Sequence, residues 1–227
     1  MSSYDAVWYY RDCSGSTELR YSMRTASANL NLRRIILLCT QEDLPVWFIP
    51  SSRAVHIESS TVRHHHGVLI DPSWGHMSHW LNSGLVEEEF LLFNDDFYVL
   101  QPISEWTDYY RDPADYNAKA RNNRYYARRT EASWHYYSGP AYNLHMPMRL
   151  VTDQLRSMLE WWEQCPTPNL DFRTLYGCMF PTGAIPHRDV KNDISSGDFY
   201  SSSNDFEHTA VGQQIMREYT TPSIAEG

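Results

Sequence analysis

The run Ile35-Ile36-Leu37-Leu38-Cys39 is apolar at every position. A strand with one wet face alternates apolar and polar side chains, because successive residues point to opposite sides of the sheet. A run without alternation needs cover on both faces, as in a mostly parallel sheet flanked by helices. Phe90-Leu91-Leu92-Phe93 is a second such run. Around them, YDAVWYY (residues 4–10) reads as a first strand and AVHIES (54–59) as a third. Leu19, Met23 and Ala26 in ELRYSMRTASANL keep helical spacing, with Ser16 or Thr17 as N-cap. Residues 74–84 read as a helix ended by Gly84, with Met77, Trp80 and Leu81 on one side. DLPVWF (43–48) makes a turn or a short helix. The order strand, helix, strand, strand, helix, strand predicts an α/β fold with a mostly parallel sheet.

Beyond Gln101 the pattern loosens. PISEWTDYYRDPADY is turn-rich and aromatic, and the basic segment KARNNRYYARR (119–129) follows it. RLVTDQLRSMLEWWEQC predicts the strongest helix, with Leu150, Leu155, Met158, Leu159 and Trp162 as its apolar stripe. SSGDFYSSSND reads as a polar loop, EHTAVGQQIMREY as a terminal helix and TTPSIAEG as a frayed tail. No repeat and no linker divides the 227 residues, which suffice for a substantial core.

The second apolar run breaks at Asn94-Asp95-Asp96 and then resumes. Burying an ionised carboxylate without a partner is costly, so either a cation waits there or the chain surfaces. In open α/β sheets ligands bind beyond the carboxyl ends of the strands, where such carboxylates would emerge. On a regular strand Asn94 and Asp96 share a face and Asp95 opposes them. A bend would let Asp95 and Asp96 converge on a hard cation, Mg²⁺ or Mn²⁺, able to bridge a diphosphate. The competing reading is a turn whose Asn and Asp side chains bond their own backbone.

The formal net charge of −9 argues against a broad electropositive face for nucleic acid. The segment 119–129, with Tyr125 and Tyr126 among its cations, is either a phosphate-gripping patch or a solvated helix face. Cys13, Cys39, Cys165 and Cys178 show no paired spacing, so a reducing, cytoplasmic setting is expected. No signal peptide and no membrane span is expected.

ELRYSMRTASANLNLRRIILLCTQEDLPVWF (18–48) resembles the second conserved region of the Stealth family of sugar-phosphate transferases, and HWLNSGLVEEEFLLFNDDFYV (79–99) resembles its later part. NLHMPMRLV (143–151) and FRTLYG (172–177) look like the third region. DAVWYYRD stands where the first would be, without the usual Trp-Val-Asp-Gly pattern. The resemblance implies a glycosyltransferase-A-like (Rossmann-like) sheet with a more irregular helical C-terminal part. It also implies one domain over residues 1–227, with 1–100 as nucleotide-binding half and 101–227 as acceptor-side half. The implied activity moves a sugar or sugar 1-phosphate from a nucleotide sugar to an acceptor hydroxyl on a glycan, lipid, protein or modified nucleic acid.

Within that reading Arg11, Asp12, Arg20, Arg24 and Asn94 are candidate nucleotide-binding residues. Arg20 and Arg24 lie one helical turn apart and could face a diphosphate, although such a pair is otherwise a solvated face. The DCSGS loop (12–16) could offer backbone N–H groups to a phosphate at the helix N-terminus. Asp95 and Asp96 are the metal candidates. His145 is a candidate base, since imidazole can take a hydroxyl proton near neutral pH. Arg173 could neutralise phosphate, and Asp96 and Asp189 complete the catalytic set. HRDVKND (187–193) copies part of a kinase catalytic loop, but the companion motifs are missing. Asp189 or His187 could still serve a transferase. His64–His66 with His76 and His79 make a weak Zn²⁺ set. The alternatives are a non-catalytic glycan- or nucleic-acid-binding module, a glycosyltransferase acting on modified DNA bases, or a scaffold with no site.

Overall fold

The computed structural model describes residues 3–11, 16–59, 64–65, 68–69, 72–85, 87–167, 169–195, 197–203 and 205–226. In chain order the elements begin β1 (Tyr4–Tyr9), α1 (Thr17–Asn29), β2 (Leu32–Cys39), β3 (Ala54–Glu58), β4 (His64–His65), β5 (Val68–Leu69) and α2 (Pro72–Asn82). Then come β6 (Glu89–Phe93), β7 (Phe97–Val99), β8 (Tyr109–Arg111), α3 (Pro113–Asn122), α4 (Arg124–Tyr136) and β9 (Met148–Val151). The last are α5 (Thr152–Gln164), α6 (Phe172–Met179), β10 (Ile185–His187), β11 (Phe199–Ser201) and α7 (Ala210–Glu218).

The protein is α/β. Its central sheet has the order β3-β2-β1-β6-β9, with β9 alone antiparallel. The unbroken apolar strands are covered on both sides. Ala6, Trp8, Ile35, Leu37, Leu91 and Phe93 pack with Leu19, Met23 and Ala26 of α1. Val7, Ile36, Leu38, Phe90 and Leu92 pack with Trp74 and Met77 of α2 and with Leu155, Met158 and Trp162 of α5. Neighbouring residues of one strand thus enter different cores, the two-residue period of a pleated strand. At the amino edge Asp5, fully buried, is satisfied by Arg33 (2.9 Å) and Arg34.

Three expectations need correcting, and the reading of the basic segment is sharpened. Leu150 is not on the helix: residues 148–151 form β9, paired to β6 from Glu89↔Val151 to Leu92↔Met148, and the helix starts at Thr152. Leu150 mimics the helical stripe because its strand position faces the same core. The serine-rich stretch is not all loop, since Phe199–Ser201 pairs antiparallel with β7. The basic segment spans two helices, divided where Asn123 caps α4 by accepting from the Tyr126 N–H at 3.0 Å. The tail is not frayed: Ala225 is fully buried, and the Ile49 N–H donates to its carbonyl at 2.7 Å.

Glu226 holds that tail down. It accepts from Arg24 at 2.7 and 2.9 Å, from Arg20 at 2.5 Å and from the Ser223 N–H at 2.9 Å. Burial alone would raise its carboxyl, but the bonds from Arg24, Ser223 and Arg20 outweigh this and hold it at about 2. A depressed folded value means stability present above the ordinary carboxylate range and lost as pH falls toward 2. Glu226→Gln should cost about 2 kcal/mol at pH 7. In urea titrations the difference from the parent should shrink between pH 4.5 and 2, where the parent's carboxylate protonates.

Candidate functional site

Buried Phe93 ends β6, and the chain then leaves the sheet in a turn, with the Phe97 N–H donating to the Asn94 carbonyl at 3.3 Å. Trp8 lies opposite Phe93 in the parallel register, so Tyr9 emerges beside Asn94 at the carboxyl edge. Asn94 Oδ1 accepts from the Tyr9 hydroxyl at 2.7 Å and from an Arg173 guanidinium nitrogen at 3.2 Å. Tyr9 stacks on His76, at 5.4 Å between centroids, and His76 Nδ1 meets the Ser59 hydroxyl at 2.7 Å. His76 therefore supports the wall of the site.

Asp96 turns to different neighbours. Its Oδ2 accepts from Lys191 Nζ at 2.7 Å and from the Ser201 hydroxyl at 2.8 Å. The shared face expected of Asn94 and Asp96 on a regular strand is lost in the turn. Burial, reinforced by Asp96 and Glu18, pushes the Asp95 carboxyl up to about 7. Glu18, in the first turn of α1, accepts from the Ser202 hydroxyl at 2.6 Å and is likewise raised, chiefly by burial.

No cluster of three or more His, Cys, Asp or Glu residues among those described is arranged to hold a metal ion. The donor set still suits Mg²⁺ or Mn²⁺. Magnesium commonly binds one or two carboxylates and completes its shell with waters and substrate phosphates. Asp96 and Glu18 both add to the raised Asp95 carboxyl, and Lys191 pairs with Asp96 at 2.7 Å, so the negative charge gathered around Asp95 is what an added cation would offset.

On the opposite wall His145 sits in the loop before β9. Its Nδ1 lies 2.8 Å from Asp189, which also accepts the His145 backbone N–H at 3.1 Å. Asp189 in turn meets Arg111, which is 1% exposed, at 2.9 Å. Burial would raise the Asp189 carboxyl, but His145 and Arg111 outweigh it and hold it well below the usual carboxylate range. An ionised carboxylate only accepts, so Nδ1 must carry the proton, and Nε2 of a neutral ring keeps a free lone pair. Arg173, nearly buried, donates to the Met146 carbonyl at 2.7 Å and lies 5.1 Å from the Phe97 ring. These groups surround a cleft of about 120 Å³ lined by Tyr9, Asn94, Phe97, His145, Asp171 and Arg173.

The structure thus joins Asn94, His145 and Arg173 in one cleft, with Asp189 behind His145. Arg20 and Arg24 are engaged by Glu226 rather than turned toward this cleft. Asp95, Asp96 and exposed Arg11 are not among the cleft walls. Asp12 lies outside the described residues, as does most of the DCSGS loop. His66 is likewise outside them, and the side chains of His64 and His65 are not described. His187 is half-buried, its ring edge-on to Tyr109 at 5.0 Å. Sequence reasoning missed Tyr9, which reads as an ordinary strand aromatic. It also missed Lys191, Ser201 and Glu18, whose partners lie 95, 105 and 184 residues away in the chain.

No family model matches the sequence, and no curated protein matches it. Among solved structures the chain is similar to the glycosyltransferase GlyE of Streptococcus pneumoniae TIGR4, at 13% identity and TM-score 0.42 over 91% of this chain and 47% of that one. For the apo form of GlyE the identity is 11% and the TM-score 0.39, over 90% of this chain and 46% of that one. The chain spans about half the length of these structures.

Asp95 yields a stability prediction with a definite sign. An acid whose folded value is raised binds more protons folded than unfolded between pH 4 and 7, so stability falls as pH rises through that window. Asp95→Asn should therefore exceed the parent by about 2 kcal/mol at pH 8 and match it near pH 4, read from urea midpoints.

Proposed function

We propose that the protein is a transferase that moves a sugar, or a sugar 1-phosphate, from a nucleotide sugar to an acceptor hydroxyl. The observation that carries this reading is His145, with its Nδ1 proton fixed by Asp189, in the same cleft as Arg173 and Asn94. In this mechanism Nε2 of His145 takes the acceptor proton, and the Asp189 carboxylate stabilises the imidazolium that results. The Arg173 guanidinium offsets phosphate charge as the nucleotide leaves. Asn94, fixed by Tyr9 and Arg173, orients the donor. Asp95 and Asp96 would hold Mg²⁺ or Mn²⁺, which when bound supplies further charge neutralisation at the diphosphate. The cleft's place beyond the carboxyl ends of β1 and β6 agrees with the general location of ligands in open α/β sheets. The resemblance to Stealth proteins adds the nucleotide-sugar donor to the reading.

UDP, GDP or CMP with Mn²⁺ should raise the melting temperature by several degrees at saturation, and Asp96→Ala should abolish the shift. No shift with any nucleotide would overturn the donor assignment. His145→Gln should keep the nucleotide shift yet lower turnover by about 100-fold or more. With a nucleoside-diphosphate sugar as donor, nucleoside diphosphate among the products indicates glycosyl transfer, whereas nucleoside monophosphate with transferred sugar phosphate indicates phosphotransfer.

A further inference from the structure

The segment HRDVKND, which the transferase reading uses only through Asp189, touches both the His145 wall and the Asn94-Asp95-Asp96 turn. Val190, 1% exposed, is packed in the core that α1 covers. On either side of it Asp189 lies 2.8 Å from His145 Nδ1, and Lys191 Nζ donates to Asp96 Oδ2 at 2.7 Å. That alternation is the two-residue period of extended chain, so Asp189 and Lys191 leave one face of the segment, roughly 6.5 Å apart. The backbone is pinned: the Ser201 N–H donates to the Val190 carbonyl at 3.2 Å, and the Asn192 N–H to the Ser201 carbonyl at 2.7 Å. What can move is the Lys191 side chain.

The ion pairs that close off Asp5 and Glu226 are made by arginines, whose planar forks lock a carboxylate. Asp96 has a lysine instead, a compact charge on a flexible four-carbon stem. The Lys191 side chain is 29% exposed and that of Asp96 15%, so solutes can reach the pair. An ammonium has three donors, and two of them go to Asp96 and to the Ser202 carbonyl. No residue among those described accepts the third. With Lys191 gone, the Ser201 hydroxyl still donates to Asp96 at 2.8 Å. A divalent cation on this carboxylate would stand against the ammonium, and like charges that close repel, so the two compete for one place.

We propose that Lys191 is an exchangeable counter-cation, which yields Asp96 to a divalent cation and turns its ammonium to the donor phosphate. Only the phosphate half rests on the transferase reading above. Before exchange Lys191 keeps a half-buried carboxylate from standing unpaired. After exchange it adds to Arg173 a second side-chain cation for the phosphates, which lysine binds as a point charge.

Mn²⁺ binding to the full protein, read from the electron paramagnetic resonance of the free ion, tests this without turnover. Lys191→Met should bind Mn²⁺ at least tenfold more tightly than the parent, and Lys191→Arg, which keeps the charge, should stay within about threefold of it. Melting temperatures establish that each variant is folded. At saturating Mn²⁺, where the parent's ammonium is already free, Lys191→Met should bind UDP, GDP or CMP at least fivefold more weakly. The parent gives an independent readout: the ¹⁵N signal of the Lys191 ammonium, assigned by its loss in Lys191→Arg, should shift as Mg²⁺ is added. A structural ion pair predicts equal or weaker Mn²⁺ binding in Lys191→Met and an ammonium signal indifferent to Mg²⁺, and either result overturns the exchange. Absence of Mn²⁺ binding from all three proteins at millimolar ion overturns it too, and unchanged nucleotide affinity in Lys191→Met overturns the phosphate role. The two readings fail separately. Tighter Mn²⁺ in Lys191→Met with no nucleotide bound refutes the donor and supports the exchange, whereas nucleotide binding with Mn²⁺ affinity unmoved by Lys191→Met refutes the exchange alone.

Discussion

Cover on both faces of the central strands is the constraint on which the rest of this structure depends. Ala6, Val7 and Trp8 alternate between two cores, as do Phe90, Leu91, Leu92 and Phe93. An unpaired polar group along those strands is costly, so the charged and amide groups they contribute lie at their ends, and the Trp8 indole N–H is paired with the Ser22 hydroxyl at 2.9 Å. At the amino end Asp5 is closed off by two arginines. At the carboxyl end the strands deliver Tyr9 and Asn94 side by side, and the later part of the chain supplies the groups that meet them.

Two polar networks then fix the cleft, one on each wall. Asn94 has its oxygen occupied by two donors from separate elements, which leaves it one orientation. His145 is held by its backbone and its ring through the same carboxylate. That carboxylate can stay ionised at depth because Arg111 is buried beside it, and Asp115 accepts from the same guanidinium at 2.9 Å. Removing Arg111 would leave the Asp189 carboxylate at depth without its buried cation, so electrostatics hold this arrangement together.

Most of the sheet was legible in the sequence because its signal is local. β2 and β6 announce themselves by unbroken apolar runs, and α1 and α2 by spacing. What escaped was decided by distant partners. Residues 148–151 carry a helical stripe, yet edge pairing with β6 makes them a strand. Phe199–Ser201 looks like loop because serines surround it, and only β7 gives it a ladder. Of the cleft, Asn94, His145 and Arg173 were recognisable as chemistry-bearing residues. Their meeting was not, nor was the bond of Asp189 to His145, since 44 residues separate that pair and no spacing rule connects them.

The same separations have a kinetic meaning. Asn94 meets Tyr9 across 85 residues and Arg173 across 79. Loop closure on that scale must precede any reward from the contact, so the cleft belongs to the slow, late part of folding. A chain that has closed only its four parallel strands, β3-β2-β1-β6, would hold the Asn94 turn without its opposing wall. The opposing wall would arrive when β9 docks against β6 and carries the His145 loop with it.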